Sequence, residues 1–205
     1  MIKNFLQYFI EQVNTGKQVV IFPGRFQPGH KGHAELYRSL VQEFPNADVY
    51  IASSAKVDEK SPLTFEERKS ILQKLGIPGD KIVNVKSTYK ATEITDKYDS
   101  ATDSVIFALS EKDSDRIAYT KKDGTPGYFK KLDSNNEQTL PINDKGYIKV
   151  ASVNPFKVLG KDITSATQVR DMYRASSPEE RKQIIVDLYG KYDIEIYNLL
   201  NDKLK

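Results

Sequence analysis

A short apolar run, Gln18-Val-Val-Ile-Phe22, leads directly into a glycine-rich turn over residues 24–32. A continuous apolar run of this length is typical of a strand buried on both faces. After the turn, apolar and aromatic residues recur with helical spacing at Leu36, Tyr37, Leu40, Val41 and Phe44. A buried strand, a glycine turn and a helix in this order predict the first unit of an open α/β sheet, with the turn at its ligand-binding edge.

The alternation of strand and helix continues along the chain. Thr64-Phe-Glu-Glu67 matches a capping box, which predicts a helix from there to about residue 75, and Gly76 follows its end. Further strands are predicted over residues 47–52, 82–85, 104–109 and 147–153, with another helix over 90–98. This order predicts an α/β protein with an open parallel sheet of about five strands and flanking helices.

Two regions fall outside this alternation. Residues 111–146 are polar and rich in turn residues, which predicts an inserted loop or hairpin on the same domain. Ser177-Pro-Glu-Glu180 combines an N-cap, a first-turn proline and a capping-box glutamate, and a second helix is predicted over about 193–204. We therefore expect an α/β domain over residues 1–176, with C-terminal helices over 177–205 packed on it.

Charge and composition exclude several classes of protein. The 31 basic and 28 acidic side chains leave a net charge of +3, too small to predict a nucleic-acid or membrane partner. The absence of cysteine excludes disulfides, thiolate nucleophiles and cysteine-ligated zinc. No apolar run approaches the ~20 residues of a membrane span, and residues 1–10 suggest an amphipathic helix rather than a signal peptide. We expect a cytoplasmic protein with no membrane or nucleic-acid partner.

Both histidines of the chain lie in one four-residue window, His30-Lys31-Gly32-His33, just after the first strand. Glycines let the backbone of such a turn approach a ligand closely, and the free amides of the following helix attract anions. The turn therefore predicts a phosphate site. Its candidate residues are Gly24, Arg25, Phe26, His30, Lys31, Gly32 and His33.

Other motifs fit this turn badly. A P-loop needs Gly-Lys-Ser/Thr after its second glycine, whereas Gly29 is followed by His30-Lys31-Gly32, and the dinucleotide fingerprint GxGxxG is absent. A zinc site would need a third ligand near the two histidines, and none of matching type follows. A structural turn with two surface histidines would be the simpler explanation of the histidines alone, but the strand, glycines and basic residues around them favour the phosphate site.

The segment GRFQPGHKGH, residues 24–33, resembles the HxGH signature of the nucleotidyltransferase superfamily. That superfamily holds nicotinamide mononucleotide adenylyltransferases, phosphopantetheine adenylyltransferases and cytidylyltransferases, and the GRFQP lead-in is most similar to the first branch. Residues 164–170, TSATQVR, are similar to a second signature, ISSTxxR, with Thr164 and Ala166 in place of its first isoleucine and second serine. Residues 61–68, SPLTFEER, are similar to the proline-threonine-arginine segment before the second helix. The resemblance spans about residues 18–175.

This resemblance implies a Rossmann-like fold and transfer of a nucleoside monophosphate from ATP or CTP to a small phosphorylated acceptor, with Mg²⁺ arriving on the triphosphate. It also implies that His30 and His33 stabilise charge on the triphosphate, while Arg170, with Ser165 and Thr167, holds the departing pyrophosphate. From the residues alone, Ser165 or Thr167 can cap a helix and Arg170 can fork onto phosphate oxygens. The candidate substrate contacts are Arg68, which nearby acids could equally pair, and Asp113, which a strand-ending polar turn would also explain.

Three functions remain open from the sequence. GRFQP suggests nicotinamide mononucleotide as the acceptor. A cytidylyltransferase acting on a phosphorylated alcohol or sugar would use the same machinery. A non-catalytic nucleotide-binding or interaction protein on the same scaffold is the third possibility, because a fold does not determine a function.

Overall fold

The structure, a computed structural model, describes residues 16–115, 117–134, 138–152, 156–163 and 165–204 of the 205-residue chain. The amphipathic helix expected over residues 1–10 and the position of Thr164 lie outside these ranges. Within them, no helix is long and apolar enough to cross a membrane.

The described residues build an open sheet of six strands in the order β3-β2-β1-β4-β6-β5, with every neighbouring pair parallel. The strands are β1 (Gln18–Pro23), β2 (Asp48–Ser53), β3 (Ile82–Asn84), β4 (Ser104–Leu109), β5 (Phe129–Lys131) and β6 (Gly146–Val150). The chain leaves β1 toward β2 and later returns to its other side at β4. Ligands of open α/β sheets bind in the crevice that such a reversal opens at the carboxyl ends of the strands.

The sheet has one strand more than the sequence suggests, because β5 comes from the insert. Phe129 of β5 packs edge-on against Phe107 of β4, with ring centroids 5.7 Å apart, and β5 pairs in parallel with β6. Three residues with a single apolar side chain give no strand signal of their own. These residues form a strand because they pair with the edge of β6.

Helices and insert residues cover the two faces of the sheet. Helix α1 (Lys31–Glu43) packs on the face formed by Val20, Phe22, Ile106 and Ala108. The opposite face packs against the single-turn helix α3 (Thr92–Thr95) and against part of the insert. Two further elements flank the sheet, helix α2 (Phe65–Lys74) and the single turn α4 (Glu111–Ser114), and a 3₁₀ turn (Gly79–Lys81) precedes β3.

A hairpin and three helices complete the fold. Strands β7 (Phe156–Val158) and β8 (Lys161–Ile163) pair antiparallel and lead into α5 (Ala166–Ala175), α6 (Pro178–Tyr189) and α7 (Ile194–Lys203). Their apolar side chains form one buried cluster with Leu63 and Ile71, which lie before and within α2. The C-terminal helices thus share a core with the α/β layer and hold α5 beside the first turn.

Candidate functional site

Helix α1 begins at two histidines that cap its own first turn. The N–H of His30, the N-cap, donates to Nδ1 of His33 at 3.2 Å. In return the His30 ring turns Nδ1 toward the N–H of His33, although that nitrogen is buried without a hydrogen-bond partner. The two rings stack with centroids 3.7 Å apart. Gly32 leaves room for this arrangement, because a Cβ on it would lie 3.2 Å from Nδ1 of His30.

Both imidazoles are neutral at pH 7. Burial lowers the pKa of His33 to about 4. Burial, and then the charges of His33 and Lys31, lower the pKa of His30 well below 6.5. Because Nδ1 of His33 accepts a hydrogen bond, its proton lies on Nε2, so the ring can donate to a ligand. The capping arrangement therefore produces a hydrogen-bond donor at the amino end of a helix.

Aromatic rings enclose the histidine pair. Phe26 meets His33 edge-on at 5.0 Å and Phe22 at 5.3 Å, and it is 3% exposed with a left-handed φ of 49°. Its ring covers Gly24 so closely that a Cβ there would lie 2.7 Å from a ring carbon. Phe26, predicted as a nucleotide contact, is thus buried and packs against His33. Gly24 provides the space for its ring.

The second signature begins a helix, as the sequence suggests. Ser165 is the N-cap of α5: its Oγ accepts from the N–H of Gln168 at 3.3 Å, and its own N–H donates to Oε1 of Gln168 at 3.1 Å. Arg170 follows, 7% exposed. It donates to the carbonyl of Gln27 at 2.7 Å and to Oγ1 of Thr167 at 3.1 Å. The bond to Gln27 joins the two signatures across 143 residues of chain.

The guanidinium of Arg170 lies in a positive environment. Burial lowers its pKa, the charges of Arg174 and Arg25 lower it further, and Asp171 and Asp58 oppose them. None of the ion pairs between described residues includes Arg170. A largely buried cation in such surroundings is well suited to bind an anionic ligand.

Arg68, predicted as a substrate contact, is committed to the protein in this structure. It is 2% exposed, and four of its five N–H donors bond to the carbonyls of Thr64, Arg25 and Ser54 and to Oγ of Ser53, at distances of 2.5–3.1 Å. Burial lowers the pKa of its guanidinium. Its position supports the glycine turn through the Arg25 carbonyl, while the Arg25 side chain is exposed beside the turn.

Two residues that organise the site were not singled out from the sequence. Gln27, 2% exposed, exchanges two hydrogen bonds with the backbone of Leu63, at 2.9 and 3.0 Å, and so fastens the turn to the segment before α2. Phe156 of β7 packs on His30 with centroids 4.7 Å apart. Gln27 lies inside the quoted motif and was detectable as a polar residue between Phe26 and Pro28. Phe156 carried no comparable sequence signal.

The remaining predicted residues are Lys31, the first residue of α1, and Asp113. Lys31 places Nζ 5.7 Å from the centroid of the Phe156 ring. Asp113 is in α4, just after β4, where its Oδ2 accepts from the hydroxyl of Ser110 at 3.0 Å and its N–H donates back to Oγ of Ser110. That exchange is the polar turn which the sequence offered as the other explanation of Asp113.

A pocket of about 310 Å³ opens beside the histidine turn, between α1 and the end of β6. It shares Gly32 with the turn, and an ion pair between Lys149 and Glu43 lines it. The other lining residues are Glu35, Leu36, Ser39, Val150, Ala151 and Ser152. A nucleoside whose phosphates lie at the turn could enter this pocket.

The described residues contain no group of three or more histidines, aspartates and glutamates that could hold a metal ion. The donors gathered at the turn are imidazole and guanidinium nitrogens. Mg²⁺ prefers oxygen ligands and usually keeps phosphate and water in its coordination sphere.

Comparison with known proteins finds a family match and two similar folds. Residues 21–122 match the family described as "Cytidylyltransferase-like". The chain also resembles the structure of a Plasmodium falciparum nicotinic acid mononucleotide adenylyltransferase complexed with NaAD, with a TM-score of 0.52 and 13% identity, covering 92% of this chain and 100% of that one. A second structure of that enzyme, complexed with APC, matches with 11% identity and the same TM-score and coverage. No curated protein sequence matches significantly. At these identities the structural likeness establishes the fold.

Proposed function

We propose that this chain, whose residues 21–122 match the cytidylyltransferase-like family, is a nucleotidyltransferase that transfers a nucleoside monophosphate from ATP or CTP to a small phosphorylated acceptor. The observation that carries the proposal is the junction of the two signatures. Neutral imidazoles at the start of α1 and the guanidinium of Arg170 meet at the same turn, held by the Gln27 carbonyl. Hydrogen-bond donors from two helix starts are thus brought to one turn, and such donors are the kind that bind phosphate oxygens.

In the proposed reaction, a phosphate oxygen of the acceptor attacks the α-phosphorus in line. The new P–O bond forms as the bond from the α-phosphorus to the bridging oxygen breaks, and pyrophosphate leaves with that electron pair. A phosphate nucleophile is already ionised near neutral pH, so the step needs no general base. Catalysis then rests on positioning and on stabilisation of charge.

Each group in the site has a role in this scheme. His33, whose proton is on Nε2, donates to an oxygen of the triphosphate, and His30 adds a second imidazole. Arg170 and the first turn of α5, with Ser165 and Thr167, hold the departing pyrophosphate. Arg25 and Lys31 supply positive charge at the rim, and the pocket beside Gly32 receives the nucleoside.

Mg²⁺ would enter on the triphosphate, where it neutralises phosphate charge. No residue at the turn is proposed as its ligand, in keeping with the nitrogen donors gathered there. The residues of the chain would bind phosphate oxygens directly.

For the acceptor we favour a pyridine mononucleotide. Two observations support it: the GRFQP lead-in of the first signature, and the fold shared with an adenylyltransferase whose structure contains NaAD. The cytidylyltransferase-like family match keeps CTP and a phosphorylated alcohol or sugar as the second candidate.

The test is pyrophosphate release with Mg²⁺, in which ATP and CTP are each combined with nicotinamide mononucleotide, nicotinic acid mononucleotide and phosphorylated alcohols or sugars. Release that requires one acceptor and is lost in His33→Ala supports the proposal and identifies the substrate pair. Triphosphate binding without release for any acceptor would favour a binding module. Absence of triphosphate binding would overturn the phosphate site itself.

A further inference from the structure

The hairpin β7–β8 brings an aromatic ring onto the catalytic turn from a distant part of the chain. Phe156 lies on the His30 ring with centroids 4.7 Å apart and an interplanar angle of 45°. The same His30 ring stacks on His33 at 3.7 Å. His30 therefore contacts one ring from its own helix and one from the hairpin.

This packing leaves His30 little freedom to turn. The residue is 5% exposed, and its Nδ1 is buried without a hydrogen-bond partner. The space under it is set by Gly32, where a Cβ would lie 3.2 Å from Nδ1 of His30 and 3.4 Å from a ring carbon of Phe156. The His30 ring is thus packed between His33, Gly32 and Phe156.

We propose that Phe156 is a positioning residue for the transfer: it holds the His30 ring over Gly32 with Nδ1 turned toward the first turn of α1. Nε2 is then the His30 nitrogen left to bind a phosphate oxygen. This inference rests on the proposed function for its catalytic consequence, whereas the state of the His30 ring is measurable without any reaction.

The charges around His30 agree with this role. On α1 the neighbouring titratable groups are His33 and Lys31, and both lower the pKa of His30 in addition to burial. The group that β7 places on the ring is Phe156, which buries the imidazole and adds no charge. Lys31 also lies near the face of Phe156, 5.7 Å from its centroid. The hairpin thus favours the neutral imidazole by removing water.

The hairpin also connects His30 to the second signature. Phe156 is paired with Ile163 in the antiparallel register, and Ile163 lies two residues before the N-cap Ser165. The short hairpin therefore places Phe156 on the first helix start and leads directly into the second one. A change in the packing of Phe156 should therefore alter the environment of His30 more than that of any other residue in the site.

The chain itself offers a direct measurement, because it contains two histidines and no tryptophan. NMR titration of the imidazole signals, on protein without a histidine tag, resolves both pKa values and both tautomers. We would compare the wild type with Phe156→Leu and Phe156→Tyr, and use Phe129→Leu as the matched control, since Phe129 is also a half-buried strand phenylalanine with edge-on ring contacts.

In Phe156→Leu we expect the pKa of His30 to rise toward its ordinary value of about 6.5, with His33 changing less. The acidic limb of kcat/KM should move to higher pH, and kcat should fall about tenfold from loss of orientation. Phe156→Tyr, which keeps the aromatic ring, should keep both the pKa of His30 and kcat close to the wild-type values. Phe129→Leu should change neither.

An unchanged His30 pKa and tautomer in a folded Phe156→Leu protein would overturn the inference. If that variant does not fold, Phe156→Trp supplies the test, since its only tryptophan should be quenched as His30 protonates. Fluorescence that does not follow the His30 titration would equally overturn it. If the pKa and tautomer of His30 depend on Phe156 as expected but the wild type transfers no nucleotide, the proposed function is wrong. In that case the positioning of His30 by Phe156 is still supported.

Discussion

The helix starts of this molecule fall into two kinds. Among the five described helices of ten or more residues, α2, α6 and α7 carry glutamates in the first turn, whereas α1 and α5 carry no acidic residue there. Helices α2, α5 and α6 have a reciprocal capping box, and α1 has one half of it, in which the N–H of His30 donates to His33. In α2 and α6 the third position of the box is Glu67 or Glu180, and in α1 and α5 it is His33 or Gln168. The two helices without acids are the two that meet at the glycine turn.

This difference has an electrostatic cause. The amino end of a helix carries a partial positive charge, which a first-turn carboxylate neutralises. Glutamate caps therefore complete α2 and α6 without a ligand. Neutral caps leave the positive end of the dipole available to an anion. The charge of the capping residues thus distinguishes helix starts that are only structural from those that can also bind phosphate.

The largest expected effect is on Arg170, the cation at the α5 start. Arg170→Ala should lower kcat/KM by about 10²–10³, because an oriented donor to the departing phosphates is lost. Pyrophosphate release measures it. The control is Arg38→Ala, which removes an arginine bonded to a carbonyl of Leu75 outside the crevice. Equal effects of the two variants would remove the distinction between the α5 start and the rest of the surface.

Arg68 at the α2 start should behave in the opposite way. Arg68→Ala leaves several buried acceptors without partners, so we expect a loss of about 3 kcal/mol in the free energy of unfolding, measured in urea. Ser70→Ala, exposed in the same helix, should leave stability nearly unchanged. A stable Arg68→Ala protein that has lost only substrate affinity would show that Arg68 contacts substrate after all.

Titration of the capping residues at the two kinds of helix start should lower the stability of the protein in different pH ranges. The folded-state pKa of His33 is about 4, below the ordinary 6.5, so the unfolded chain binds the extra proton first. Stability should therefore fall as the pH drops from about 6.5 to 4, by up to about 3 kcal/mol from His33 alone. Urea unfolding across this range measures the slope, and His33→Asn should flatten it.

The glutamate caps respond at lower pH. Burial raises the pKa of Glu67, but hydrogen bonds from Thr64 and Lys203 outweigh it and lower the pKa overall. A carboxyl with a lowered folded pKa contributes stability above its unfolded value and loses it as the pH falls through the folded one, here below about 4.3. If the stability of the wild type falls only in this lower pH range, the interpretation of His33 as a neutral cap is wrong.

The smallest expected effect comes from exchanging the caps. Gln168→Glu gives α5 the acidic box of α6, so we expect a gain of about 0.5 kcal/mol in stability together with several-fold weaker triphosphate binding. Glu180→Gln is the reverse change in α6, and it should cost a little stability and leave binding unaltered. Calorimetric titration with a non-hydrolysable triphosphate measures the affinities. Tighter binding to Gln168→Glu would refute the comparison.

Much of the fold was predictable because its signals are local. The buried strand before the turn, the capping boxes at Thr64 and Ser177 and the C-terminal glycine at Gly76 were all confirmed, the last with a φ of 87°. The helix predicted over 90–98 shortens to the single turn Thr92–Thr95. Strand β6 ends at Val150, earlier than the predicted residue 153.

Sequence by itself determined which residue types surround the crevice: the two histidines, the glycines that let them pack, the arginine one turn into α5 and the absence of acids at both helix starts. These are properties of short segments, readable from spacing and charge. Only the tertiary structure decided that Arg68 faces the protein, that Gln27 links the two signatures and that Phe156 lies on His30. The contacts of Gln27 and Phe156 join residues 36–143 positions apart, and Arg68 bonds to residues 14–43 positions before it as well as to Thr64. Most of these contacts depend on how the sheet, hairpin and helices pack rather than on any local pattern.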